Sequence, residues 1–299
     1  MRVVTRGDAD GLVSTVLLTM VESIREIRFA HPKDVQDGKI QVDADDIIVN
    51  LPYVAGCGLW FDHHVSEERK LESQGEFKGS FKVAPSAARV IYDYYKNPQF
   101  ENFSEMMSAI DRLDSAQLTI DDVTKPEGWI LLGLTLDPRS GLGPEFQKYF
   151  RWLVEYVKEL PLAKVLQHPE VKKRCDRVLH EQEEFKAVLQ QHSRSEQGVI
   201  ITDFRGQKNL PVGNRFLVYT MYPECHVEVR LFDGLGGKVV LAAGRSIFCR
   251  KCQVSCGELL ARYGGGGHAG AGTCQLEGAE APAKIAEIVS ILQKNQAAG

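Results

Sequence analysis

The feature that most constrains the fold is a short apolar strand at Arg2–Thr5. It runs through an acidic turn, Asp8-Ala9-Asp10-Gly11, into residues Gly11–Ile24, which carry the apolar spacing of a buried-face helix. A strand feeding directly into a helix at the start of a chain is half of a βαβ unit, and the pattern repeats. Asp46–Val49 reads as a second strand and Leu59–Phe61 as a third, and APSAARVIYDYY reads as a helix opening near Pro85, with proline in its first turn. Alternation of this kind predicts an α/β fold with a mostly parallel sheet flanked by helices. In open sheets of that class ligands sit beyond the carboxyl ends of the strands. The acidic and imidazole groups that follow the first and third strands are therefore expected to converge on one crevice.

With 299 residues the chain is long enough for two cores. Residues Phe150–His192 look helical apart from breaks near Pro161 and Pro169, and SRSEQG then offers a polar connector ending in glycine. The expected division is a catalytic domain over 1–192, a linker over 193–197 and a smaller α/β substrate-binding domain over 198–299. The smaller domain has strand-like GVIITDF, HVEVRLFD and KVVLAAGRSIF, a helix around Gly257–Tyr263, a glycine cluster and a last helix near Ala281–Gln293. No apolar run approaches the roughly 18 residues of a membrane span, and no signal-like stretch precedes Asp8, so the expected location is the cytoplasm. A net charge of −4 argues against a broad basic face for long duplex nucleic acid and leaves room for a short anionic ligand in a local pocket. Seven cysteines, an odd number, read as reduced thiols. Cys249, Cys252 and Cys256 have ligand-like spacing but lack a second cysteine pair, and coincidence is the better reading.

Five segments carry chemistry. Asp8 and Asp10 leave a strand end two residues apart and suit a hard divalent ion. Phe61-Asp62-His63-His64 closes a strand with an acid and two imidazoles, so that one histidine can ligate while Asp62 orients it. Asp111 and Asp114 are spaced to share a helix face. In Gly264-Gly265-Gly266-Gly267-His268, the glycines let main-chain N–H groups close on a phosphate with His268 beside them. Upstream, Arg245 and Ser246 follow an apolar strand, where a guanidinium is placed to clamp phosphate.

Taken in order along nearly the whole chain, DADG, DHH, the aspartate pair and GGGGHAGAG resemble the DHH phosphoesterase superfamily with its DHH-associated substrate domain. That superfamily includes RecJ-type exonucleases, nanoRNases, dinucleotide phosphodiesterases and exopolyphosphatases. The resemblance implies Asp8, Asp10, His63 and Asp114 as ligands of one or two Mn²⁺ ions, with Mg²⁺ the alternative. Asp114 is preferred to Asp111 because Ser115-Ala116 follow it. Asp62, His63 and His64 become the catalytic group, and Arg245, Ser246, Gly265, Gly266, Gly267 and His268 hold the substrate's far phosphate. The implied activity is hydrolysis of phosphodiester bonds in short oligonucleotides or dinucleotides, with polyphosphate as the alternative substrate and a homodimer as one assembly open to the chain. Two positions depart from the family pattern. Asn50 stands where a bridging aspartate is usual, and Val3, Val4, Thr5 and Arg6 supply no ligand ahead of the first motif. The expectation is at most one tightly held ion, with weakened catalysis or a pure nucleotide-binding role as the competing outcome. Asp43, Asp45 and Asp46 precede their strand and are expected at its far end, unable to replace the bridge.

Overall fold

Strands β1 (Arg2–Thr5), β2 (Glu26–Phe29), β3 (Asp46–Val49), β4 (Leu59–Asp62) and β5 (Gly79–Phe81) pair in the order β2-β1-β3-β4-β5, and every pairing is parallel. In this computed structural model, residues 1–68 and 76–296 are described. They form two units, one of Met1–Leu118 with Pro126–Val178 and the other of Thr119–Lys125 with Leu179–Gly299. The sequence dictates which strands are central. Asp46-Ile47-Ile48-Val49 is buried at every position, as a parallel strand covered on both faces must be. The edge strands β2 and β5 are half-polar and only partly buried, which is why the alternation read from sequence passes them over.

The first helix, Ala9–Val21, is buried from Ala9 through Leu18. It starts two residues before the predicted Gly11 because Asp8 caps it, accepting a hydrogen bond from Gly11 N at 2.8 Å. Gly11 is required at that turn, since a Cβ there would lie 2.0 Å from Arg6 O. Valine and leucine from this helix join Ile47, Val49, Phe61, Ile91, Ile110 and Phe150 in one core. The Ala87–Tyr95 helix begins after Pro85 and is capped by Ser86 Oγ, which accepts from Arg89 N.

The second unit has a six-stranded mixed sheet, with β6 (Ser193–Glu196), β7 (Val199–Asp203), β8 (Val227–Asp233), β9 (Val239–Arg245), β10 (Gly266–His268) and β11 (Ala271–Leu276) in the order β10-β11-β9-β8-β7-β6. Strand β11 alternates buried and exposed residues, the signature of a sheet with one face on a core. That core includes Val229, Leu241, Leu260, Ile288 and Leu292. The polar run expected as a connector over 193–197 is used differently. Ser193–Glu196 pairs antiparallel with Val199–Asp203 around Gln197-Gly198, both at positive φ, so its exposed polar side chains mark an edge strand and its turn. The division between units falls earlier, after Val178 within the Pro169–His192 helix.

Candidate metal centre

Register sets the row of functional groups. Thr5 pairs with Val49 and Val49 with Phe61, so the next residues, Arg6 and Asn50 just past their strands and Asp62 as the last residue of β4, lie side by side at the carboxyl edge of the sheet. Asp8 and Asp10 follow from the first turn, and His63 and His64 from the end of β4. The acids rejected as a bridge lie at the opposite end, where Arg2 pairs with Asp46 at 2.7 Å and Arg25 with Asp45 at 2.7 Å.

Asp10 is 1% exposed and is fixed by the start of the Ala87–Tyr95 helix: its Oδ2 accepts from Ala87 N and its Oδ1 from Ala88 N, both at 2.8 Å. A helix N-terminus stabilises an anion in this way. His63 donates from Nδ1 to Ala84 O at 3.0 Å, which directs Nε2 at Asp114 Oδ2 (3.1 Å) and Asp10 Oδ2 (3.7 Å). Asp10, His63 and Asp114 thus form one group able to hold a metal ion, and Asp62, His63 and His64 form another. Asp111 is committed elsewhere, accepting from Ser86 Oγ at 2.6 Å and from Arg89 at 2.6 and 3.0 Å. Asp62 orients His64 rather than His63, its Oδ1 accepting from Nδ1 at 2.7 Å, and the His64 side chain stays 41% exposed.

Electrostatics follow from burial. Burial pushes the Asp8 carboxyl up to about 6, with Arg6 pulling the other way and Asp114 adding to the rise. Burial and the Asp114 charge also carry Asp10 well above the usual carboxylate range. Burial works against a charged His63, but the Asp114 hydrogen bond and the Asp10 and Asp114 charges overcome it and raise the imidazole to about 10. Without a cation the cluster holds protons. Two further atoms fit a cation or its ligands: Asn50 Oδ1 and Asp62 Oδ2 are buried with no hydrogen-bond partner among the described residues. A divalent ion suits this set, which offers hard carboxylate oxygens, one imidazole nitrogen and a neutral amide oxygen.

The second-unit candidates are placed less as expected. The Arg245 guanidinium donates to Val254 O from Nε (3.0 Å) and Nη2 (2.8 Å) and reaches Gln253 O at 3.3 Å, so it holds a loop where a phosphate clamp was anticipated. Ser246 is buried, and its Oγ accepts from Phe248 N and Cys249 N. The glycine run also has a packing reason. A Cβ at Gly265 would lie 2.0 Å from Thr273 O, and one at Gly267 would lie 2.2 Å from Ala271 O. Gly266 has open space around it, and His268 is exposed, its Nδ1 accepting from Gly270 N at 3.1 Å. All seven cysteines are free thiols, and the metal-capable groups among the described residues contain none of them. Sequence reasoning missed the Arg6 contact on Asp8 and the backbone partners Ala84, Ala87 and Ala88. The Pro85-Ser86 helix start was the available signal for the last two.

Comparison with solved structures places the fold. Over 99% of both chains the protein matches a pGpG-specific phosphodiesterase, PggH from Vibrio cholerae, at 37% identity and a TM-score of 0.84. It also matches the DHH domain of a member of the s1p family of ribosomal proteins, at 14% identity and a TM-score of 0.56 over 99% of this chain and 87% of that one. The chain belongs to the DHH phosphoesterase superfamily. As a DHH protein it is a hydrolase acting on phosphoester bonds. RecJ of Thermus thermophilus, solved with Mn²⁺, shares the fold at 16% identity and a TM-score of 0.51, over 98% of this chain and 52% of RecJ. No protein-family model and no curated protein matches the DHH chain. No helix among its described residues is long and apolar enough to cross a membrane.

Proposed function

We propose that this DHH protein is a metal-dependent phosphodiesterase acting on short oligonucleotides or dinucleotides, with a linear guanine dinucleotide the first substrate to try. The observation that carries the reading is the Asp10–His63–Asp114 group beside the Asp62–His64 pair at the carboxyl edge of the sheet. The likeness to a pGpG-specific phosphodiesterase over the whole chain supports the substrate class. Asp10, His63 and Asp114 would hold the ion, with Asp8 and Asn50 beside them, and Mn²⁺ is the first choice, with Mg²⁺ the alternative. A divalent ion bound there supplies positive charge for the phosphoryl oxygens and lowers the pKa of water.

The protein groups divide the remaining work. The Ala87 and Ala88 N–H groups hold Asp10 in one orientation, and Ala84 O keeps the proton of neutral His63 on Nδ1, leaving Nε2 as a donor atom. In hydrolysis a water oxygen bonds to phosphorus and gives up a proton to solvent, the P–O bond to the leaving ribose breaks, and the leaving oxygen takes a proton from an acid that solvent then reprotonates. His64 is the proton donor in this scheme. Burial lowers its pKa, but the Asp62 hydrogen bond together with the Asp62 and Asp114 charges overcomes that and raises it, keeping the imidazole protonated nearer neutral pH.

A second reading, a nucleotide-binding protein without turnover, draws on Asn50, whose Nδ2 donates to Asp8 Oδ1 at 3.0 Å where a bridging carboxylate is usual. The test is hydrolysis of pGpG, of a short RNA and of polyphosphate by metal-stripped protein, with and without added Mn²⁺, beside His63→Ala. Manganese-dependent cleavage of the nucleotides that His63→Ala abolishes supports the enzyme. Tight nucleotide binding with no cleavage under any metal supports the binder, and turnover of polyphosphate alone replaces the substrate class.

A further inference from the structure

Asp8 and Asp10 sit two residues apart but are met differently by the protein. Asp8 Oδ1 accepts from Gly11 N at 2.8 Å and Asn50 Nδ2 at 3.0 Å, and its Oδ2 lies 3.2 Å from Arg6 Nε. The Asn50 amide has only one workable direction there, since turning it over would set its oxygen against the Asp8 carboxylate. Arg6 is also held in place. Its carbonyl is in close contact with Gly11, where a Cβ would lie 2.0 Å away. The next residue, Gly7, is packed so tightly that a Cβ would meet Leu142 at 2.6 Å and Phe146 at 2.8 Å. The side chain leaves this fixed turn with Nε buried against Asp8 and 39% of its surface exposed.

We propose that this site holds a single divalent ion on Asp10, His63 and Asp114, and that the Arg6 guanidinium takes the electrostatic place of a second ion, gripping a non-bridging oxygen of the substrate phosphate beside Asp8. The inference rests on the phosphodiesterase reading above. Charge balance argues for it. With Asp62 paired to the His64 imidazole, Asp8, Asp10 and Asp114 contribute the three remaining negative charges, which one divalent ion and one guanidinium cancel. A carboxylate at position 50 would make four, the number that two divalent ions cancel. Asn50 and Arg6 are then one substitution in two parts: the amide removes the charge that a second ion needs and donates to Asp8, while arginine restores a cation with a planar donor fork suited to phosphate. The row formed by Arg6, Asn50 and Asp62 at the ends of β1, β3 and β4 brings both parts to the same edge as His64.

The experiment counts ions without relying on turnover. Metal-free protein is titrated with Mn²⁺ by calorimetry and electron paramagnetic resonance, and kcat and KM are measured on pGpG. The wild type is expected to take up one ion per chain with the spectrum of an isolated Mn²⁺. Arg6→Ala should keep that stoichiometry while kcat falls about 10²–10³-fold, the scale for removing one donor to a developing charge, with KM moving less. Arg6→Lys, which keeps the charge and loses the fork, should recover part of the loss. The double variant Arg6→His, Asn50→Asp should bind a second ion and show the exchange-coupled signal of ions about 3.5–4 Å apart. Two tightly held ions in the wild type, or an unchanged kcat in Arg6→Ala, overturns the proposal. A wild type that binds Mn²⁺ but cleaves no phosphodiester sinks the functional reading separately. The ion count, together with the loss or retention of pGpG affinity in Arg6→Ala, then decides this one.

Discussion

Asp62 is fully buried, and one of its oxygens is bonded to His64, so its effect on a substrate passes through that imidazole. Burial lowers the His64 pKa and the Asp62 bond raises it, with a net rise. Asp62→Asn removes the anionic partner, so the imidazole loses its proton at lower pH and the alkaline limb of the kcat profile moves down. Loss of a positioned acid is expected to cost about 10²-fold or more in kcat at pH 8, with KM little changed. A profile with its limb in place would remove His64 from the role of proton donor. The aspartate pair gives a second contrast. Asp114→Asn is expected to weaken Mn²⁺ binding at least 10-fold by calorimetric titration, because Asp114 faces His63 at 3.1 Å. Asp111→Asn should leave that affinity within about twofold and lower thermal stability instead, since Asp111 ties Arg89 and Ser86 together. Equal losses of affinity in the two variants would reverse the assignment.

Elements explain why the glycine run takes the form it does. Gly265 and Gly267 face the carbonyls of Thr273 and Ala271 at distances no side chain tolerates, while Gly266 between them faces open space. Gly265→Ala and Gly267→Ala are each expected to destabilise the fold by about 2 kcal/mol or more, and Gly266→Ala by less than about 1, as read from urea midpoints at constant slope. Similar shifts in all three would leave the run's packing role unsupported. The sequence made the central elements legible because they are apolar runs ended abruptly by a charged or amide side chain: Val3-Val4-Thr5 before Arg6 and Asp8, Ile47-Ile48-Val49 before Asn50, Trp60-Phe61 before Asp62. Strands β2 and β5, Glu26-Ile27-Arg28-Phe29 and Gly79-Ser80-Phe81, escaped because edge strands need bury only part of their surface. The ligand types were legible for the same reason as the central strands. What no local pattern carried was the wiring between segments. Asn50 reaches Asp8 across 42 residues of chain, Ala87 reaches Asp10 across 77, and Arg245 turns back to carbonyls in the loop that follows it.

At the scale of the whole molecule the site couples metal, protons and stability. Asp8 is raised from 3.8 to about 6 and His63 from 6.5 to about 10 in the metal-free fold, and Asp10 rises with them. A group whose pKa is raised on folding stabilises the fold below its unfolded value and loses that contribution as pH rises through its folded value. These three groups therefore make the metal-free protein less stable as pH climbs from about 4, through the Asp8 value near 6, towards the His63 value near 10. A bound divalent ion reverses the trend, because it takes the places of those protons and binds more tightly as they leave. Binding to the native state alone raises the unfolding temperature through mass action. The increment in Tm produced by a fixed excess of Mn²⁺ should accordingly grow from pH 6 to pH 8, and calorimetry in buffers of different ionisation enthalpy should register protons released on binding. His63→Ala removes one ligand and one of the raised groups together, so both the increment and its pH dependence should shrink in that variant. An increment that is flat between pH 6 and 8, or no proton release, would mean that the ion does not displace the protons held by Asp8, Asp10 and His63, and would move the metal site away from this cluster.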